Sequence, residues 1–369
     1  SEELTEQFQS LDARQLSAML AQAQQRRLYA AARHCAELLG KRKDEQALAS
    51  LDGKPAPLAR ALTSPNQELR FAALQAVLEI DPATSFAGAS HVVESLWFFA
   101  AGAGEPTAVA AAATIPRANL WAGQLRQLGY DAVAATTGRS ALAAALDRSR
   151  AARLMLVAID SDISLPQVRE TIFQLRRSTS AADTPIAVLC SLPRLESLRR
   201  LADDDPLMIA EPRPHGDGAM AALVERLTAL PGRGEASGEL RVRRAKFALQ
   251  EIARLLAEEA HYDELIRDAE LVDEMLYHPE LARAAIDVLQ ALGTSASQTT
   301  LANYANSAGL TIESRRRAAA AFAASVKRFG VQLPPSEIDR QYDRFNASDD
   351  SDEETHALLG SLLDVIEGK

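Results

Sequence analysis

A largely helical chain interrupted near its middle by one α/β domain is the fold class that the sequence predicts. Three observations carry it. Apolar residues make up 47% of the chain, mostly Ala and Leu, and aromatics only 5%, so the core is built of small side chains that suit closely packed helices. Apolar positions recur at helix spacing through the first hundred residues and again in the last third. Between Glu105 and Arg233 the texture changes to five short apolar runs alternating with helix patterns, which implies a parallel, doubly wound sheet. The expected segments are therefore 1–104 (helical), 105–233 (α/β) and 234–369 (helical).

The most legible helix of the first segment begins in Ser64-Pro65-Asn66-Gln67-Glu68. Ser64 fits an N-cap, Pro65 fits the first helical position, and Gln67 completes a capping box. Leu69, Ala72, Ala73, Ala76, Val77 and Ile80 then form one face, and Pro82 ends the pattern. A weaker copy stands 41 residues earlier, at Ala31, Ala32, Cys35, Ala36 and Leu39. In the last segment, long helical stretches are expected over Leu240–Ala257 and Tyr262–Tyr277. Helices follow over Ala284–Leu292 and Ile312–Phe329, stopped by Gly293 and Gly330. One more short helix fills the interval between them, Ser336 caps another, and Thr355–Ile366 closes the chain. Asn346–Glu354 reads as a solvated acidic loop, and Pro231–Gly238 as a flexible linker. That linker would allow 1–100 and 240–369 to share one helical core.

The phrase SPNQELRFAALQAVLEI resembles the HEAT repeat: a Pro-containing turn, an Arg early in the second helix, then small apolar positions. The repeat spacing is of the paired-helix kind. The resemblance implies HEAT-like α-α superhelix segments on either side of the α/β domain, offering extended contact surfaces.

Within the middle segment, strands are expected at Val109–Ala113, Tyr130–Ala135, Arg153–Ile159, Pro185–Cys190 and Leu207–Ala210. Helices are expected at Pro116–Leu128, from Ser140, at Leu165–Arg177, Leu195–Ala202 and Asp217–Leu230. The order of LGYDAVAATTGRSAL, LMLVAIDSDISLP, TPIAVLCS and LMIAEPR resembles the bacterial response-regulator receiver, a (βα)5 flavodoxin-like domain. The resemblance implies a phosphoacceptor Asp after the third strand, an acidic pair for Mg²⁺ after the first, a hydroxyl after the fourth, and a Lys followed by a cis-Pro turn after the fifth. Metal-assisted phosphoryl transfer needs those groups together.

Here the inventory fails. Ala112-Ala113-Thr114 follows the first strand without a carboxylate. Cys190 and Ser191 stand at the hydroxyl position. Glu211, before Pro212, stands where Lys is required. Only the acceptor survives, as Asp160 or Asp162, with both read as helix-capping residues and Glu211 as a surface-facing loop residue. The degenerate pocket is thus Thr114, Asp160, Asp162, Cys190, Ser191, Glu211 and Pro212.

The remaining motifs are quiet. Cys35 and Cys190 sit in apolar runs and read as buried free thiols. Asp203-Asp204-Asp205 reads as a solvated turn. No metal pair, P-loop, dinucleotide fingerprint or nucleophile elbow occurs, so no catalytic residue, metal or cofactor is assigned. A formal net charge of −10 disfavours nucleic acid. Arg241-Val242-Arg243-Arg244 and Arg315-Arg316-Arg317 keep nucleic-acid binding open as one alternative. Phosphorylation on Asp160 or Asp162 is the other. The expected function is non-catalytic: a bacterial scaffold or regulatory protein with a phosphorylation-incompetent pseudo-receiver, partnered by unidentified proteins. No apolar run reaches a bilayer-spanning length of about 20 residues. A cytoplasmic location is expected, with an upstream targeting segment left open because the chain starts at Ser1.

Overall fold

The computed structural model describes residues 11–50, 53–178, 180–216, 218–230, 237–258, 265, 271–348 and 352–368. The linker at 231–236, the stretch 262–264, 266–270 and the acidic loop residues 349–351 lie outside the described residues. The chain divides into two compact units, Ser1–Arg244 and Ala245–Lys369. It is a mixed α/β protein, mostly helical, with one five-stranded parallel sheet.

The first unit opens with helices α1 (Ala13–Gln25), α2 (Tyr29–Arg42), α3 (Pro57–Ala61), α4 (Gln67–Ile80) and α5 (Ser90–Ala100). The Ser64 capping box is not formed. Asn66 is the N-cap, its side chain accepting from Leu69 N at 3.1 Å, while Asn66 N donates to Ser64 Oγ at 3.2 Å. An Asx cap one residue from the helix serves the orphan N–H more directly than a Ser three residues away. A genuine capping box stands instead on α1, between Asp12 and Gln15. The predicted α4 face is buried: Ala72, Ala76, Val77 and Ile80 are at most 6% exposed. Its weaker copy on α2 is buried at Ala32, Cys35, Ala36 and Leu39 but not at Ala31. The two helices approach closely. A Cβ on Gly40 would lie 2.7 Å from the Ala76 Cα, so only glycine fits.

Arg70, early in α4, is buried. Its Nε donates to Ser95 Oγ at 3.1 Å, and its guanidinium lies 4.0 Å over the Phe98 ring. Ser95 Oγ in turn donates to Leu62 O at 2.8 Å. Burial pulls Arg70 down to about 10, against the charge of Glu94. The α/β part of the unit is joined to these helices through Ala152 N, which donates to Phe98 O at 3.1 Å, and through Tyr29, whose hydroxyl reaches Asp183 Oδ1 at 3.5 Å. Burial and then the Asp183 charge push Tyr29 up to about 12, so it stays a donor.

Strands β1 (Thr107–Ala111), β2 (Asp131–Ala135), β3 (Leu154–Asp160), β4 (Ile186–Cys190) and β5 (Met208–Pro212) pair in the order β2-β1-β3-β4-β5, all parallel. Side chains alternate between two cores. Val109, Val157 and Ile159 pack with α7 (Gly138–Arg148), α8 (Val168–Arg177) and α9 (Leu192–Ala202). Ala110, Leu156 and Leu189 pack with α6 (Ile115–Gln127) and α10 (Ala219–Thr228) on the opposite face. With helices on both faces, β3 is buried along its whole length, which is why it reads as a continuous apolar run.

The division between units falls in α11 (Gly238–Ala257). The second unit continues with α12 (Val272–Met275), α13 (Ala282–Leu292), α14 (Ser295–Asn306), α15 (Ile312–Phe329), α16 (Pro335–Asn346) and α17 (Glu353–Glu367). The predicted stops hold. Gly293 has φ 61°, and a Cβ there would enter the Phe329 ring. Ala285, Val288 and Leu289 are buried. The N-cap of α16 is Pro334 in place of Ser336, because Pro335 can open a helix but cannot sit deeper in it.

Candidate functional site

The site lies at the C-terminal ends of β1, β3, β4 and β5. Asp160 is the last residue of β3 and has no solvent exposure. Arg117 NH1, from the first turn of α6, donates to Asp160 Oδ2 at 2.8 Å. Arg213, directly after β5, donates from Nε to Oδ2 at 3.2 Å and from NH2 to Oδ1 at 2.8 Å. Asp162 N donates to Oδ1 at 3.0 Å. Each oxygen therefore accepts two hydrogen bonds, and the roughly four lone-pair sites of a carboxylate are taken.

Asp162 is exposed in the following loop and bridges outward. Its carboxylate pairs with Arg213 and with Arg194 of α9, and accepts from Ser161 Oγ at 3.2 Å. Burial acts to raise its pKa. The hydrogen bond and charge of Arg213, with Ser161 and Arg194, outweigh that and hold the carboxyl below its ordinary range. The Asp160 carboxylate, through its hydrogen bond and charge, raises Arg213 in turn. The β3 loop is held from the other side. Gly138 N and Arg139 N, at the start of α7, donate to Ser164 O at 2.8 Å and Leu165 O at 2.9 Å. A Cβ on Gly138 would sit 2.3 Å from Pro166 O.

Several residues stand differently from their expected roles. Neither Asp160 nor Asp162 caps the helix after β3. The N-cap of α8 is Gln167, without a side-chain cap bond, and both carboxylates are spent on arginines. Glu211 is not a loop residue. It lies in β5 on the face toward α10, where Arg226 Nε is 3.2 Å from its carboxylate. The basic group opposite Asp160 is Arg213, two residues further on. Pro212 ends β5, and the cis peptide is Leu165-Pro166. Cys190 is buried and its thiol, raised by burial, faces Glu211 O at 3.6 Å.

Two open clefts flank the ion pairs. The larger, about 790 Å³, has apolar walls from Leu120, Trp121, Leu192, Pro193, Pro212 and Pro214; Arg117, Arg213, His215 and the Cys190 thiol are its charged or titratable lining groups. Thr114 and Ser191 also line it, as N-caps of α6 and α9 whose hydroxyls make no cap bond. The smaller, about 540 Å³, is more polar and lies beside Asp162, Arg169 and Arg194. Among the described residues, no group of three or more His, Cys, Asp or Glu could hold a metal ion. Among them, too, no helix is long and apolar enough to cross a membrane.

Arg117, Arg194 and Arg213 were not singled out by sequence reasoning. Their signal was an Arg in the first turn of the helix after β1 and after β4, and directly after β5. No protein-family model, curated protein or solved structure matches this chain.

Proposed function

We propose that the α/β domain is a degenerate, receiver-like module that no longer accepts phosphate, and that the chain is a non-catalytic scaffold or regulatory protein working through protein–protein contacts. The order β2-β1-β3-β4-β5 is that of flavodoxin-like doubly wound sheets, and an Asp ends β3 as the receiver pattern asks. The observation that carries the reading is the closure of Asp160. A phosphoacceptor needs one oxygen free to attack and another to hold Mg²⁺. Here both oxygens are saturated by two guanidinium groups and a backbone N–H. Two fixed cations occupy the role of a removable one, so nothing is left for a phosphoryl switch to change. The helical segments, which resemble HEAT repeats in sequence, then supply contact surface.

The experiment is incubation of the full chain with Mg²⁺ and acetyl phosphate, read by intact mass. No adduct is expected. A stoichiometric adduct lost in Asp160→Asn or Asp162→Asn overturns the reading in favour of a live signalling protein. Nucleic-acid binding through the Arg clusters is disfavoured by the engagement of Arg244, Arg315 and Arg316. Arg315 is buried, donating to Ala305 O and Thr355 Oγ1 at 2.8 Å each. Arg244 is buried with its NH2 2.6 Å from Glu68 Oε1. Arg316 pairs with Glu354 at 3.3 Å.

A further inference from the structure

We propose that the larger cleft binds a small organic carboxylate: an apolar or aromatic body bearing one negative charge. This rests on the receiver-like reading only in that Asp160 is committed to its arginines. Three features of the cleft specify the ligand.

Charge is the first. Arg117 and Arg213 in the larger cleft, with Arg194 reaching the same cluster from the wall of the smaller one, share two carboxylates, from Asp160 and Asp162. The cluster is left with one positive charge in excess. Only NH1 of Arg117 is used, and NH1 of Arg213 has no partner among the described residues. Arg117 is 35% exposed at its side chain, so its remaining N–H groups can meet a ligand. His215 adds a ring whose Nδ1 is 2.9 Å from Pro214 O. A carbonyl only accepts, so Nδ1 is the donor in that bond and the ring offers the cleft no second N–H in its neutral form; the anion is met by the arginines.

The second feature is the pair of helix starts. Helices α6 and α9 both begin at the cleft, with N-caps Thr114 and Ser191 whose hydroxyls take no cap bond. Helix N-termini favour anions; Pro116 and Pro193 at the second helical positions carry no N–H and Arg194 N is taken by Ser191 O, so the donors turned to the cleft are chiefly the two free hydroxyls.

The third feature is the wall. Leu120 is 57% exposed and Leu192 is 72% exposed, and prolines 116, 193, 212 and 214 line the space between them. These prolines present carbon to the ligand and no side-chain hydrogen-bonding group. An inorganic anion would leave this wall in water. A ligand with an apolar body covers it and places its charge on the arginines, in a volume usual for small-molecule sites.

The test uses the full chain and three probes in isothermal titration calorimetry: 2-naphthoate, its neutral isostere 2-naphthamide, and inorganic phosphate. Naphthoate is expected to bind saturably, one per chain, with the amide and phosphate each at least tenfold weaker. Arg117→Gln should weaken naphthoate at least tenfold. Because that change also touches Asp160, Leu192→Glu provides a second variant, at an exposed rim position where folding is untouched. It should weaken naphthoate to the same degree without moving the melting temperature. Absence of saturable naphthoate binding overturns the proposal. So does equal binding of acid and amide, equal binding of phosphate, or unchanged affinity in folded Leu192→Glu. The two readings fail separately. A phospho-adduct on Asp160 would sink the pseudo-receiver and leave a naphthoate isotherm standing, whereas a flat isotherm with no adduct would sink only the ligand site.

Discussion

The helical and the α/β parts of the first unit each enclose an arginine, Arg70 buried and Arg213 partly buried, and they do so by opposite means. Arg70 in α4 is met by a hydroxyl and an aromatic face, with no carboxylate in contact. Arg213 after β5 is met by two carboxylates. Burial pulls Arg70 down to about 10, whereas Asp160 pushes Arg213 up. The lesson is that a buried cation can be a packing element or a charge-balancing one, and the two respond differently to loss of a partner. A residue that only packs can be replaced by an apolar one. A residue that balances charge cannot lose its partner without leaving an ion unpaired.

The largest expected effect comes from Asp160→Ala. It takes from Arg117 its only carboxylate among the described residues and leaves Arg213 with Asp162 alone, and should cost about 3–5 kcal/mol in urea unfolding; a loss under about 1 kcal/mol would mean that solvent already screens the cluster. Next is Val77→Asp, on the helical side, which buries a charge with no partner in a face of alanines. It should cost about 3 kcal/mol or more; an unchanged melting temperature would refute the α4 face. Arg70→Met sharpens the comparison from the other direction. Methionine keeps the length and the contact with Phe98, and Ser95 keeps its bond to Leu62 O. Stability should stay within about 1 kcal/mol of the parent, and a loss as large as that of Asp160→Ala would erase the distinction drawn between the two arginines.

The smallest effect lies in the pH dependence of two aspartates. Asp162 has a lowered pKa, because Arg213, Ser161 and Arg194 outweigh the opposing effect of burial. Folding therefore favours its ionised form. That contribution is complete above the unfolded value of about 3.9 and disappears as pH falls through the lower folded value. Asp183 is raised by burial, against the opposing charges of Arg27 and Arg176 and hydrogen bonds from Asn66 and Tyr29. Folding favours its protonated form, so it costs stability at neutral pH, and the cost is relieved as pH falls through the folded value. Asp162→Asn should thus be more destabilising at pH 7 than at pH 3, and Asp183→Asn more favourable at pH 7 than at pH 3. Unfolding midpoints at the two pH values check both, and parallel shifts would show that the two carboxylates share one environment.

Much of this was legible in the sequence, and for a local reason. Helix faces at Ala72–Ile80 and Ala284–Leu292, the glycine stops at 293 and 330, and the five apolar runs of the sheet all follow from periodicity and from residues whose backbone preferences act within one turn. The two buried thiols followed from their apolar neighbours in the same way. Cap positions shifted by two residues: from Ser64 to Asn66, whose side chain takes the Leu69 N–H, and from Ser336 to Pro334, because Pro335 must sit at the helix start. What the sequence could not determine is the chemistry at the sheet's end. Arg117, Asp160 and Arg213 are separated by 43 and 53 residues along the chain, and no local rule brings them together. The receiver resemblance implies a lysine where Glu211 stands, and the sign there is reversed. The guanidinium that faces Asp160 sits two residues later, because a long side chain past the strand's end can reach back over it, while Glu211 is turned by the strand's alternation onto α10. Tertiary structure alone decided that pairing, since a parallel sheet sets distant strand ends side by side and a buried carboxylate takes whichever cations can reach it.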